Sequence, residues 1–178
     1  MDTARETVAD AARLARQLVT NQALGTLTTV MADSTVHPAP VPFGTMEYFV
    51  DDSRGNLVLL ISNLSVSAKN RSVHPTAAVA VRSPTSTAPA MTQPRVTLSG
   101  QLEPLTAEDA SAERERYLQR HPDAQSWVGW SDFRFYRLQV QAVYYIGGFG
   151  GAHYIGSVPL DLYRSQGALI SDVQSADK

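Results

Sequence analysis

LLISNLSVSAKNRSVHP, residues Leu59 to Pro75, changes its period in the middle. The apolar run Leu57 to Ile61 has the unbroken hydrophobicity of a buried strand. It gives way to Ser62 and Asn63, and a helix-compatible segment then starts near Ser65 with Ser67, Lys69 and Asn70 in its first turns. A strand that feeds a helix in this way presents N–H groups without intrahelical partners and the positive end of a helix dipole. That pair of features suits a phosphate. Lys69 adds a full charge and the hydroxyls add donors. The same residues also spell an ordinary capped surface helix, since Ser and Asn are common N-caps.

Outward from this stretch, the chain reads as short strands separated by turn residues. Upstream, Met46 to Val50 and Leu57 to Ser62 flank DDSRGN, a hairpin loop, and Ala23 to Ala32 (ALGTLTTVMA) is strand-like. The segment His37 to Phe43 (HPAPVPF) holds three prolines, which exclude a regular central strand but allow an irregular or edge one. The N-terminus predicts a helix over Thr3 to Gln22, opened by a Thr3-x-x-Glu6 capping box and carrying Val8, Ala11, Ala12, Ala15, Leu18 and Val19 on one face.

Downstream, Thr76 to Arg82 (TAAVAVR) is a small-residue strand and Ser83 to Thr92 a loop. Arg95 to Leu102 (RVTLSGQL) is a strand with Gly100 at a bulge or close approach. A helix starts near Thr106, and its mixed charges, Glu108 to Arg116, read as a solvated face. Phe133 to Val140 and Ala142 to Ile146 read as two strands, the second ending in Gly147-Gly148-Phe149-Gly150-Gly151. Ala152 to Ile155 is a further short strand, Leu160 to Arg164 a helical turn, and the polar tail from Ser165 frays. Six to eight strands without βαβ alternation predict a mainly β (α+β) fold, an antiparallel barrel or sandwich with peripheral helices. One domain over residues 1–165 and a polar tail over 166–178 account for the length of 178 residues.

Composition narrows the function classes. A net charge of −2 and no basic run interleaved with aromatics predict no nucleic-acid partner. The chain has no cysteine, which removes thiolate chemistry and cysteine metal sites. No stretch reaches the ~20 apolar residues of a membrane span, and no leader is legible, so the expectation is a cytoplasmic protein that does not engage a membrane. His37, His74, His121 and His153 are scattered and predict no metal site, although His153 follows the glycine-rich turn. There is no G-x-S-x-G elbow. GGFGG lacks the helix and acidic partner of a dinucleotide fingerprint; its glycines let backbone approach a ligand or a second chain, or simply make a tight hairpin.

Taken in order, LLIS…S-x-K-N…HP, PRVTLSG, ERYLQRHPDA, DFRFYRL and VYYIGGFG resemble the pyridoxamine 5′-phosphate oxidase-like FMN-binding split-barrel superfamily, in its HugZ/CREG-like branch. The resemblance spans about Ala23 to Ile155. It implies a six-stranded antiparallel split β-barrel with peripheral helices, a homodimer, and a small-molecule ligand in clefts between the two chains. FMN is the cofactor it implies, with haem as a second ligand class. By position Ser67, Lys69 and Asn70, with Ser62, match the phosphate group, and Pro40 to Phe43 the strand bordering the flavin. Gln93 matches a ring contact, and Gly148 and Phe149 in the glycine turn would approach from the partner chain. No general acid or base is identifiable.

The oxidases' C-terminal R-x-H-x-R motif is absent, which argues against pyridoxamine phosphate oxidation, and Gly151 stands where much of the branch has arginine. The functions implied are a flavin-dependent oxidoreductase of open substrate, with a haem link, or a non-catalytic CREG-like binding or regulatory protein.

Overall fold

The computed structural model describes residues 5–31, 40–83 and 88–167. Helix α1 (Val8–Asn21) starts one turn later than the sequence pattern suggests. Its N-cap is Thr7: the Thr7 hydroxyl accepts from the Asp10 N–H (3.1 Å), and the Asp10 carboxylate accepts from the Thr7 N–H (3.0 Å). This box replaces the expected Thr3–Glu6 pair. Thr3 lies outside the described residues, and Glu6 turns its carboxylate to the Tyr154 N–H (2.8 Å) and to His153. A short acidic residue three positions after a threonine satisfies the same orphan donors, so the rule held and its address moved.

Seven strands follow the helix: β1 (Leu24–Met31), β2 (Val41–Asp51), β3 (Leu57–Ser62), β4 (Thr76–Arg82), β5 (Arg95–Pro104), β6 (Phe133–Ile146) and β7 (Ile155–Val158). They form one antiparallel sheet in the order β3-β2-β1-β4-β5-β6-β7, and an added β3–β6 pairing closes six of them into a barrel. Closure removes the sheet edges that a short β domain otherwise has to protect. β7 stays outside the barrel, paired to the end of β6. The fold is the mainly β, six-stranded split barrel with peripheral helices that the sequence suggests.

β6 makes this possible by serving two partners along one edge, β3 through Phe133–Leu138 and β7 through Val143–Ile146. The two strands expected here are one. The break expected at Gln141 is a bulge: Gly100 of β5 faces Val140 while Ser99 faces Ala142, so Gln141 is the extra residue. The bulge resets the alternation, and the buried set Tyr136, Leu138, Val140 resumes at Val143 and Tyr145. Gly100 permits it, because a Cβ there would collide with the Gln139 carbonyl.

The barrel interior, plugged by Ala11, Ala12, Ala15, Leu18 and Val19 of α1, is the main core. A second core lies outside the barrel wall, where Val50, Val58, Leu60 and Phe135 meet Tyr117 of α3 (Ala107–Arg120) and Val128. The solvated face expected on α3 needs one correction. Glu113 is buried and accepts from Arg137 of β6 (3.1 Å), with Arg116 beside it (3.3 Å), so this carboxylate ties the helix to the barrel. Its partner is distant in sequence, and a charge pattern read locally has no access to it.

Helix α2 (Val66–Val73), capped by Ser65, lies between β3 and β4 as expected, and residues 160–167 form a fourth helix, α4. The short strand expected over Ala152 to Ile155 begins only at Ile155. Residues 37–39, the centre of the Ser83 to Thr92 loop and the tail beyond 167 lie outside the described residues. Among the described residues no helix is long and apolar enough to cross a membrane.

Candidate functional site

The residues singled out in the sequence fall into two groups. The first surrounds α2. Ser67 is buried with its Oγ 3.3 Å from Thr45 Oγ1, and the Asn70 amide donates to Thr29 Oγ1 (3.0 Å). Both side chains face the barrel wall and are held by β2 and β1, so they fasten α2 to the strands. Ser62 donates to Asp132 (2.7 Å) and accepts from the Leu64 N–H (3.1 Å), closing the turn that leads into the helix. Lys69 alone of the group is exposed. Ser65 satisfies the Ala68 N–H (3.1 Å), which leaves the Val66 and Ser67 N–H groups ahead of the first intrahelical bond.

The second group gathers where β5 begins and β6 ends. Arg95, paired with Ile146, donates to the Met91 carbonyl (2.9 Å) and sits 3.4 Å from that of Gln93. Its guanidinium lies 5.8 Å from the centre of the exposed Phe149 ring. Gly148 is packed so tightly that a Cβ would fall 2.9 Å from the His153 ring and 3.1 Å from the Thr92 carbonyl. His153 is fixed by Glu6, whose backbone N–H also donates to the Ala152 carbonyl (2.8 Å). Gln93, Gly148 and Phe149 are thus neighbours, joined by an arginine that the sequence reading noted only in passing.

The two groups are not neighbours of each other. Thr29, the anchor of Asn70, is level with Ala77 at the start of β4, whereas Arg95 is level with Arg82 at its end. Five residues of strand separate them, roughly 17 Å.

Between these groups lies a surface that pattern reading missed. The outer face of β2-β1-β4-β5-β6 carries a row of small residues, Gly44–Thr28–Ala78–Ser99–Ala142, each opposite the next across the ladder. The adjacent row runs Met46–Thr26–Ala80–Thr97–Tyr144–Ser157. Met46, Tyr144, Leu24 and Ile155 are exposed here. At one end the face sinks into a hollow of about 570 Å³, with Leu24, Met46, Tyr144 and Ile146 among its apolar lining and Arg82 and Arg95 among its polar one. Thr26 Oγ1 lies 3.2 Å from the Met46 sulfur. The alternation Thr26-x-Thr28 and Ala78-x-Ala80 was the available signal, an outward set too small to meet a helix.

A closed six-stranded antiparallel barrel with one bare outer face and helices on the other defines a split-barrel protein. The chain belongs to the CREG β-barrel family, whose model matches residues 6–165. It is 31% identical over 133 residues to the non-canonical heme oxygenase HOZ, a chloroplastic protein of Arabidopsis thaliana, covering 74% of this chain and 40% of that relative. It therefore spans well under half of the curated relative's length. Among solved structures, the heme binding protein from Mycobacterium smegmatis superposes with a TM-score of 0.76 at 25% identity, over 90% of this chain and 61% of that one. Campylobacter jejuni ChuZ gives 0.70 at 15% identity, over 84% and 60%, and shares the fold.

Proposed function

We propose that this protein is a haem-binding barrel that works as a homodimer. The observation that carries the reading is the hollow at the edge of the bare face, whose lining combines apolar side chains with Arg82 and Arg95. Haem is a flat apolar ring with two carboxylates on one edge, so it asks for that combination. Leu24, Met46 and Ile146 would take the ring, and each guanidinium would offer a planar fork to a carboxylate. Arg95 keeps donors free beyond those its carbonyl partners take. Met46 and Tyr144 belong to side-chain classes that ligate haem iron. Two relatives, the Arabidopsis and mycobacterial proteins, carry haem in their names.

Bound haem would supply redox and oxygen chemistry, while this chain binds it, orients it and limits water around it. The flat centre of the face, Thr28, Ala78 and Ser99, takes the second copy, which leaves the hollow at the rim of the interface.

Lys69 supports a second reading. Exposed beside the Val66 and Ser67 N–H groups, it suits the phosphate of FMN, with Ser67 and Asn70 holding the helix in place rather than the ligand. On this reading the protein is a flavin-dependent oxidoreductase. A ligand that touches both α2 and the glycine turn then spans two chains, because one chain keeps them apart. The non-catalytic alternative is the same dimer with ligand storage or interaction as its purpose.

Titration of the purified protein with haemin, followed in the Soret region, tests the first reading. A saturable shift is expected, weakened about tenfold or more in the double variant Arg82→Ala, Arg95→Ala. No shift, or one indifferent to both arginines, overturns it. FMN is tested separately by thermal stabilisation, which the second reading expects in the native protein and not in Lys69→Ala.

A further inference from the structure

β2 and β3 pair only through Phe49–Asp51 and Leu57–Leu59. Past Leu59, β3 is paired to β6 alone, and before Phe49, β2 is paired to β1 alone, so the barrel wall parts beside residues 45–48 of β2. A hollow of about 300 Å³ opens at this parting, lined by Glu47, Tyr48, Leu60, Tyr117, Trp127 and Phe133. Leu24 and Met46 separate it from the larger hollow described above.

Its aromatic walls are preset. Tyr48 stacks on His121 with ring centres 4.3 Å apart, and its hydroxyl donates to Asp123 (3.0 Å). Tyr117 packs edge-on to Phe135, and Phe133 is held edge-on by Trp130. Into this enclosure β2 sends one carboxylate. Glu47 accepts from Thr45 Oγ1 (3.1 Å), its one side-chain hydrogen bond among the described residues, and makes no ion pair among them. Burial raises its pKa, the Thr45 hydrogen bond opposes this in part, and no cation among the described residues does. The charges felt at the buried Tyr117 hydroxyl are Glu47 and Asp123, both negative. Folding has therefore desolvated a carboxylate among π faces without supplying it a counter-charge from the described residues. A ligand bearing positive charge recovers that cost.

We propose that this hollow binds a small organic cation, an alkylated ammonium head, with Trp127, Tyr48 and Phe133 against its methyl groups and Glu47 as its counter-ion. A metal ion does not fit the lining, which offers one carboxylate where hard cations ask for several oxygen ligands. An anion meets the wrong potential. The volume is at the low end of small-molecule pockets, enough for a head group of a few heavy atoms. Neither haem nor FMN enters the argument, so it stands or falls apart from the reading above.

The titratable groups around Glu47 are Tyr48 of its own strand, Tyr117 of α3, His121 at the end of α3, and Asp123 beyond it. Burial lowers the His121 pKa, so at neutral pH the ring adds no positive charge. Ionised Glu47 is the form that binds.

Choline and its neutral isostere, with carbon in place of nitrogen, provide the test on the ligand-free protein, read by Trp127 fluorescence and calorimetry. Choline is expected to saturate and to bind about tenfold or more tightly than the isostere. Glu47→Gln should lose that preference, and native affinity should fall as pH drops through the Glu47 pKa while the variant's does not. Trp127→Leu should weaken choline as well, whereas Arg82→Ala, across Leu24 and Met46, should leave it unchanged. Equal affinity for the two probes, a Glu47→Gln protein that binds like the native one, or no saturable binding overturns the proposal.

Discussion

The barrel has two outer faces made by overlapping strands, and they solve the problem of apolar exposure in opposite ways. On the β2-β3-β6 side the outward residues are large, Val50, Val58, Leu60 and Phe135, and the chain covers them with α3 and the turn that follows it. On the β1-β4-β5 side the outward residues are Thr26, Thr28, Ala78, Ala80, Thr97 and Ser99, and among the described residues no helix lies over them. β6 belongs to both: Phe135 points under α3, and past the bulge at Gln141 Ala142 and Tyr144 point to the bare side. A large outward residue commits the chain to its own helix. A small one leaves a flat surface that another molecule can approach, whereas the large ones concentrate packing on the covered face.

That contrast can be broken most forcefully from the covered side. Tyr117→Ala removes a fully buried ring from the second core and should lower unfolding stability by about 4 kcal/mol in a denaturant titration. A loss below about 1 kcal/mol would mean that α3 is not fastened through this core. Next comes the hinge between the faces. Gly100→Ala puts a methyl against the Gln139 carbonyl and should destabilise by about 3 kcal/mol. An unchanged midpoint would show that β6 does not need the bulge to serve both sides.

The bare side should respond in assembly rather than in folding. Ala78→Arg, at the centre of the small row, is expected to leave the unfolding midpoint nearly unchanged and to convert the proposed dimer into a monomer by light scattering. A dimer that survives it refutes this face as the interface.

The smallest effect is in the pH dependence of the covered side. His121, stacked on Tyr48 and tilted against Tyr117, has its pKa pushed below the ordinary 6.5 chiefly by burial, with Arg120 adding to it, against the Phe49 carbonyl and Asp123. The unfolded chain then binds the proton more readily, so stability falls as pH drops below about 6.5 and levels off beneath the folded pKa. Native protein and His121→Gln, compared by urea unfolding across that window, should differ in slope. Parallel slopes would remove His121 as the source.

Much of the architecture was legible from local pattern. The strand-to-helix change at Ser62, the capped start of α2, Gly100 at a bulge and the break at Gln141 all sit where the residues suggest. Each depends on neighbours within a few positions. What was not legible depends on partners far along the chain. The contacts of Ser67 with Thr45 and of Asn70 with Thr29, which tie α2 to the strands, are invisible to a local pattern. Glu113 looks solvated until Arg137 is beside it. Glu47 carries no signal at all, since its environment is made by a parting between two strands and a turn from far downstream.

By itself, then, the sequence determined the alternation, the caps and the breaks, and through them a β-rich chain with helices at known places. These are short-range choices of φ/ψ and of which face is apolar. Only the tertiary structure decided that β3 meets β6, which closes the barrel and turns the small residues of β1, β4 and β5 into one flat face. Closure is a pairing between residues 71 to 81 positions apart, set by the total fit of core and ladder rather than by either segment. The helix-start stretch that organises the sequence is thus tied through Ser67 and Asn70 to the strands beside it, and the flat face is a surface that no single stretch announces.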